Sequence, residues 1–182
     1  MTKDTIIGLE IHLPLNKVNT KLFCNCSLIS DEPNTNTCSI CLALPGAKPL
    51  PNIEAIRHAL KLAYALKSDI SREITFSRKQ YFYPDLPANY QRTQFEHPLA
   101  RGGFIKLKSG KEIGIRRIQI EEDPGSLIHP GGLGNANFTL IDYNRAGFPL
   151  CEIVTSPELS DASEAKEFLS KLLNIVRYLE IY

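Results

Sequence analysis

The chain has no tryptophan and one methionine, and its 21 basic residues are nearly matched by 20 acidic ones, leaving a net charge of +1. That balance gives no argument for a dedicated, strongly basic nucleic-acid-binding domain. If RNA is a substrate, its phosphates must be met on a local patch or on other polypeptide. No apolar run approaches the roughly 20 residues that cross a bilayer, and no secretory leader pattern opens the chain. A cytoplasmic protein with no membrane association is therefore expected. A Walker A sequence is missing, and Gly131-Gly132-Leu133-Gly134 is only a glycine-rich loop. Nor does any Ser-Lys or Cys-His arrangement offer a nucleophile.

Cysteine is present but odd in number: Cys24, Cys26, Cys38, Cys41 and Cys151. Five thiols do not make a secreted disulfide framework, and in a reducing compartment clustered cysteines bind metal more often than one another. Cys24-x-Cys26 and Cys38-x-x-Cys41 form two close pairs bridged by a loop. This spacing can close a tetrahedral zinc site with every ligand position filled, which makes the zinc structural. The bland alternative is free thiols packed in a loop, and CxC is less typical of zinc ribbons than CxxC.

The 182 residues allow one large domain or two small ones. Thr5 to Leu13 reads as a strand, with Ile7, Leu9, Ile11 and Leu13 on one face and Glu10 and His12 on the other. Residues 20–48, rich in Cys, Asn, Thr and Pro, read as loop. Residues 52–67 read as a helix capped by Asn52, with Ile53, Ile56, Leu60, Ala63 and Tyr64 as the apolar stripe. Residues 76–95 read as an ordered loop. Strands are predicted over 103–107, 112–121, 138–143 and 150–154, and 124–135 as a loop. A last helix starts near Asp161, with capping-box spacing to Glu164 and a stripe of Phe168, Leu169, Leu172, Val176 and Leu179. Strand–helix alternation is absent, so the fold class is α+β with a mostly antiparallel sheet.

Acids on three strands mark the chemistry. Glu10 and His12 share a strand face. Gln119 and Glu121 share another, opposite Ile118 and Ile120, and Glu122 and Asp123 follow directly. Glu152 sits alone in the apolar strand Leu150-Cys151-Glu152-Ile153-Val154, where a buried carboxylate requires a partner. Arg145 is one candidate and a cation the other. Magnesium suits carboxylate oxygens and commonly bridges to nucleotide phosphates. The residues alone lead to a metal-binding domain with nucleotide-dependent chemistry as one option.

Longer motifs narrow this. Gly8-Leu9-Glu10-Ile11-His12, Lys21-Leu22-Phe23-Cys24-x-Cys26, Glu32-Pro33-Asn34-Thr35-Asn36-Thr37-Cys38-x-x-Cys41, Arg78-Lys79-x-Tyr81-Phe82-Tyr83-Pro84-Asp85-Leu86-Pro87, Glu121-Glu122-Asp123-Pro124-Gly125 and Asp142-Tyr143-Asn144-Arg145-Ala146-Gly147 occur in this order. Together they resemble the N-terminal catalytic region of the GatB family, the B subunits of tRNA-dependent amidotransferases; the Glu-Pro-Asn-Thr-Asn stretch favours GatB over the related GatE.

The resemblance implies a cradle-shaped domain that uses ATP and magnesium to phosphorylate the side-chain carboxylate of misacylated Glu-tRNA(Gln) or Asp-tRNA(Asn). Ammonia then displaces the phosphate. The ammonia comes from a glutaminase partner, GatA (with the small GatC in a heterotrimer) or, in the GatE system, GatD. It also implies that Cys24, Cys26, Cys38 and Cys41 hold structural zinc. Glu10, His12, Glu121 or Glu122, and Glu152 are implied to be catalytic; Glu10, His12, Glu122 and Glu152 to hold magnesium; and Lys79, Tyr81 and Arg145 to meet nucleotide or substrate.

Pro14, Ser39, Ala43 and Ala88-Asn89 depart from residues common in the family, which puts substrate contacts after Pro87 in doubt. The family is more than twice this length, so residues 1–182 are expected to be its N-terminal catalytic part without the helical and tail domains, and inactive in isolation. The competing readings are an inert piece and a non-enzymatic zinc-stabilised nucleic-acid-binding module.

Overall fold

The computed structural model describes residues 5–182. Its centre is a six-stranded antiparallel sheet ordered β1 (Glu10–Pro14), β10 (Pro149–Thr155), β7 (Glu112–Glu122), β5 (Ala100–Arg101) and β2 (Asp69–Ile70), with β6 (Phe104–Lys106) pairing on β7. Two ribbons stand apart, β3 (Ser77–Gln80) with β4 (Tyr90–Thr93), and β8 (Ser126–Ile128) with β9 (Leu140–Asp142). Two helices complete the fold, α1 (Ile53–Ala65) and α2 (Ala162–Tyr178).

Strand β7 explains how one long strand serves two faces. Its buried isoleucines sit at 113 and 115 and again at 118 and 120, so the two-residue period slips once. The register slips at the same place: Val154 pairs with Arg117 but Thr155 with Ile115. This bulge inserts one residue and restores the phase. All four isoleucines thus join the core with Cys151, Ile153 and the buried sides of both helices, while Arg117, Gln119 and Glu121 take the opposite face.

Asn52 caps α1 as expected, its side chain accepting from the amides of Glu54 and Ala55. The buried stripe is different: Ala55, Ile56, Ala59, Leu62 and Ala63 face inward, while Ile53 is 56% and Tyr64 80% exposed. Small alanines let the helix approach the sheet closely, and that gain outweighs burying the larger side chains. In α2, Asp161 accepts from the Glu164 amide, but the Glu164 carboxylate returns to the amide of Ser160, one residue earlier than a capping box. Phe168, Leu172 and Val176 are buried, whereas Leu169 remains 42% exposed. The expected loop over 76–95 contains the β3–β4 ribbon, whose Ser-Arg-Lys-Gln and Tyr-Gln-Arg-Thr strands carry no apolar alternation to announce them. No helix among the described residues is long and apolar enough to cross a membrane.

Candidate functional site

The sheet face opposite the helices gathers the acids. His12 pairs across with Glu152, and Glu152 with Gln119. Directly paired residues project from the same face, so β1, β10 and β7 present His12, Glu152 and Gln119 in a row, with Glu10 and Glu121 beside them. Ligand atoms of Glu10, His12 and Glu152 lie within 4.8 Å of one another. His12 Nε2 is 3.2 Å from Glu152 Oε2 and 3.3 Å from Glu121 Oε1.

The two carboxylates are deeply buried. Burial, and then the neighbouring Glu152, push the Glu121 carboxyl above its ordinary value, against a hydrogen bond from Thr93. One oxygen of Glu152, Oε1, is buried without a hydrogen-bond partner. The nearest cation, Arg117 Nη2, stands 3.6 Å away, outside hydrogen-bonding reach. A carboxylate with one orphaned oxygen, grouped with Glu10 and His12, suits a hard divalent cation. Of the two candidate partners for Glu152, Arg145 is not the one: it pairs with Asp123, and Glu152 is met by His12 and Arg117.

Above these acids lies a cleft of about 480 Å³, lined by Glu10, Glu121 and Glu152 below and by Arg78, Lys79 and Arg117 around them. Lys79 is therefore at the cleft. Tyr81, just beyond β3, is half-buried and lies within electrostatic reach of Glu121 and Asp123, with burial raising its phenol. Arg145 is at a separate depression beside Asp31 and Glu32.

Glu122 does not join the other acids. Strand alternation carries it to the side of Ile118 and Ile120, where Arg92 holds it with a forked pair at 2.8 and 2.9 Å and the Arg92 amide adds a third bond at 3.1 Å. Glu121 rather than Glu122 stands at His12. Sequence reasoning missed Arg78, Arg92, Thr93 and Arg117. Three of these lie in the unannounced ribbon, and Arg117 owes its direction to the bulge.

A second cleft of about 390 Å³ shares Ser77 and Arg78 with the first. Phe23, Phe76 and Tyr90 line it together with Leu44, Ala47 and Pro49. The Arg92 guanidinium lies 5.2 Å from the Phe23 ring and 5.5 Å from Tyr90, and Arg78 lies 4.8 Å over Tyr90.

The cysteines converge as a third feature. One Sγ each from Cys24, Cys26, Cys38 and Cys41 falls within a 4.8 Å group. Cys38 and Cys41 sulfurs are 3.9 Å apart, near the roughly 3.8 Å edge of a tetrahedron with Zn–S of about 2.3 Å. A hydrogen bond from Cys24 lowers Cys41 to about 4 and raises Cys24, while burial pushes Cys26 up to about 11. The donor set fits a structural zinc. Cys151 is buried in the core, its thiol raised to about 12 by that burial.

The Asn-rich part of this loop is stitched to the turn after β9. Asn34 donates to the Ile141 carbonyl and accepts from the Tyr143 amide, at 2.8 and 2.7 Å. The Asn36 amide donates to Asn144 Oδ1 at 2.8 Å.

The profile of the GatB/GatE catalytic domain matches residues 5–182. The chain belongs to that family. It is similar to the B subunit of the aspartyl/glutamyl-tRNA(Asn/Gln) amidotransferase of Sulfolobus acidocaldarius, 49% identical over 96% of this chain and 39% of the relative. The B subunit from Methanospirillum hungatei is 50% identical over 98% of this chain and 39% of its own length. That of Natronomonas pharaonis is 48% identical over 97% and 37%. The chain thus spans less than two-fifths of the curated relatives it matches.

Proposed function

We propose that this GatB/GatE domain is the activating centre of a tRNA-dependent amidotransferase. In this reading a side-chain carboxylate oxygen of Glu or Asp, esterified to tRNA(Gln) or tRNA(Asn), attacks the γ-phosphorus of ATP. The bond to ADP breaks, and an acyl phosphate results. Ammonia delivered by a glutaminase partner then attacks the acyl carbon, phosphate leaves, and the nitrogen loses a proton. The chain's lack of a Ser-Lys or Cys-His nucleophile agrees with ammonia being made elsewhere.

The observation that carries the proposal is the convergence of Glu10, His12 and Glu152 ligand atoms within 4.8 Å at a cleft bordered by Arg78, Lys79 and Arg117. Glu10, Glu152 and Glu121 are the oxygen donors that would hold magnesium. The cation would supply charge neutralisation at the phosphates. His12, hydrogen-bonded to Glu152, orients that carboxylate and fixes its own ring. Arg78, Lys79 and Arg117 bind and orient anionic oxygens, and the buried floor excludes water. The second cleft supports a nucleotide rather than bare phosphate, because aromatic rings beside guanidinium planes favour a stacked base.

The experiment uses the complete protein with its partner subunits. Glu10→Gln, at an exposed position, should fold normally and lower misacylated-tRNA-dependent ATP cleavage by about 100-fold or more, as when one preorganised charge is lost. Near-parental cleavage by this variant would remove the proposal.

A further inference from the structure

Lys21 is among the largest fully buried side chains, at 0% exposure. Lysine is almost never fully buried unless paired. Yet Lys21 pairs with no carboxylate among the described residues. Its Nζ has two partners: the Tyr143 carbonyl at 3.2 Å and the Cys41 sulfur at 3.5 Å. A carbonyl dipole alone does not balance a buried ammonium. The charged partner at hydrogen-bonding distance is sulfur, while Glu122, which lies within electrostatic reach of Cys41, is taken up by Arg92. Four thiolates around one divalent zinc carry a net charge of roughly −2, and that charge is also buried.

We propose that Lys21 is the counter-cation of the four-cysteine centre and the latch that joins it to the β9–β10 turn. The inference rests on the reading of that centre as a zinc site. The ammonium donates to a ligand sulfur from one side and to the Tyr143 carbonyl from the other, so the charge of the filled centre holds the turn in place. The backbone is built for this position. The Lys21 amide donates to the Cys26 carbonyl at 2.9 Å, inside the turn of the first cysteine pair. The next residue, Leu22, donates to the Gly147 carbonyl at 2.8 Å, and the Gly147 amide donates to the Asp123 carbonyl at 2.9 Å. Gly147 has φ +87°, and a Cβ there would stand 3.5 Å from Lys21 Cδ. The lysine stem thus runs against the turn that leads from Arg145 into β10 and is tied to Asp123.

A packing role and a charge role differ in which form of the protein they affect. If Lys21 only fills space, Lys21→Met costs the metal-free and zinc-bound forms alike. If it balances the thiolates, Lys21→Met removes the counter-charge of a centre that carries its full negative charge only with zinc bound, so it weakens zinc and costs the zinc-bound form more stability than the metal-free form. The test measures zinc affinity of the purified protein against a chromophoric chelator, and denaturant unfolding with and without zinc. Lys21→Met should bind zinc about 10–100-fold more weakly, the usual effect of losing a partner behind the ligands, and its metal-free form should lose less stability than its zinc-bound form. The cobalt(II)–thiolate absorption should report four sulfurs in both proteins.

Lys21→Gln, which keeps a donor without the charge, provides the same comparison if the methionine variant does not fold. Zinc affinity within about threefold of the parent, well short of that usual effect, overturns the proposal. So does equal destabilisation of both forms. A parent protein that takes up no zinc overturns the zinc reading itself.

Discussion

His12 Nε2 lies between two buried carboxylates, 3.3 Å from Glu121 Oε1 and 3.2 Å from Glu152 Oε2. One half-exposed imidazole bridges two acids on different strands that repel each other. The arrangement is poor for stability and suited to binding a cation, as expected where a fold gives up local stability to form a site.

The first prediction follows from that repulsion. Burial and Glu152 raise the Glu121 carboxyl above its ordinary value of 4.5, while Thr93, His12 and Lys79 pull the other way. A raised folded pKa means the native state binds the proton more tightly. The associated stability is complete below about pH 4.5 and is lost as pH rises through the folded value. Without added magnesium, Glu121→Gln should therefore unfold at higher urea than the parent at pH 7.5, and the difference should shrink near pH 4.5. An equal loss of stability at both pH values would contradict this.

The second prediction separates Glu122 from its neighbour. Glu122 and Arg92 side chains are 8% and 11% exposed and form a forked pair. Glu122→Gln leaves a buried guanidinium without its counter-charge and should cost about 3–5 kcal/mol. Manganese binding at the Glu10–Glu152 group should not change. Unchanged stability with weakened manganese binding would reverse the assignment and make Glu122 the ligand.

How far the sequence disclosed this site depends on which signals were local. Glu10 and His12 were readable because β1 alternates plainly, and Glu152 because a lone acid in an apolar strand calls for an explanation. The four cysteines showed their grouping by spacing. Glu121 and Glu122 could not be told apart, since both phases of β7 are buried at that end. Arg117 was hidden because a bulge, set by pairing with β10, reverses the phase that Ile113 and Ile115 establish. The β3–β4 ribbon was hidden because polar strands lack a hydrophobic period. In α1 the sequence pattern pointed to Ile53 and Tyr64, but tertiary packing selected the alanine row.

Zinc content provides the third prediction. Purified protein never exposed to chelator should hold about one zinc per chain, as one filled four-cysteine site requires. Cys151→Ser should leave that value unchanged, because Cys151 faces the core. Cys38→Ser should lower it and loosen the Asn34 and Asn36 contacts to the turn after β9, seen as faster amide exchange at Tyr143. Full zinc in Cys38→Ser would show that the four sulfurs are not one site.

The fourth prediction concerns the second cleft. Tyr90 lines it but does not line the acid-floored cleft. Its ring is stacked with Arg78 and lies near Arg92. If this surface accepts the base of the nucleotide, Tyr90→Ala should weaken ATP binding about 5–150-fold, the range of one lost stacking contact of roughly 1–3 kcal/mol. Tripolyphosphate, which has the same phosphate chain and no base, should bind parent and variant equally. Glu152→Gln should behave differently, weakening magnesium-dependent binding of both ligands because it acts at the phosphate end. Calorimetric titration of the four combinations separates the two clefts. Equal weakening of ATP and tripolyphosphate by Tyr90→Ala would mean that the ring only holds Arg78 in place. No weakening of either would show that the aromatic wall is not part of the nucleotide site.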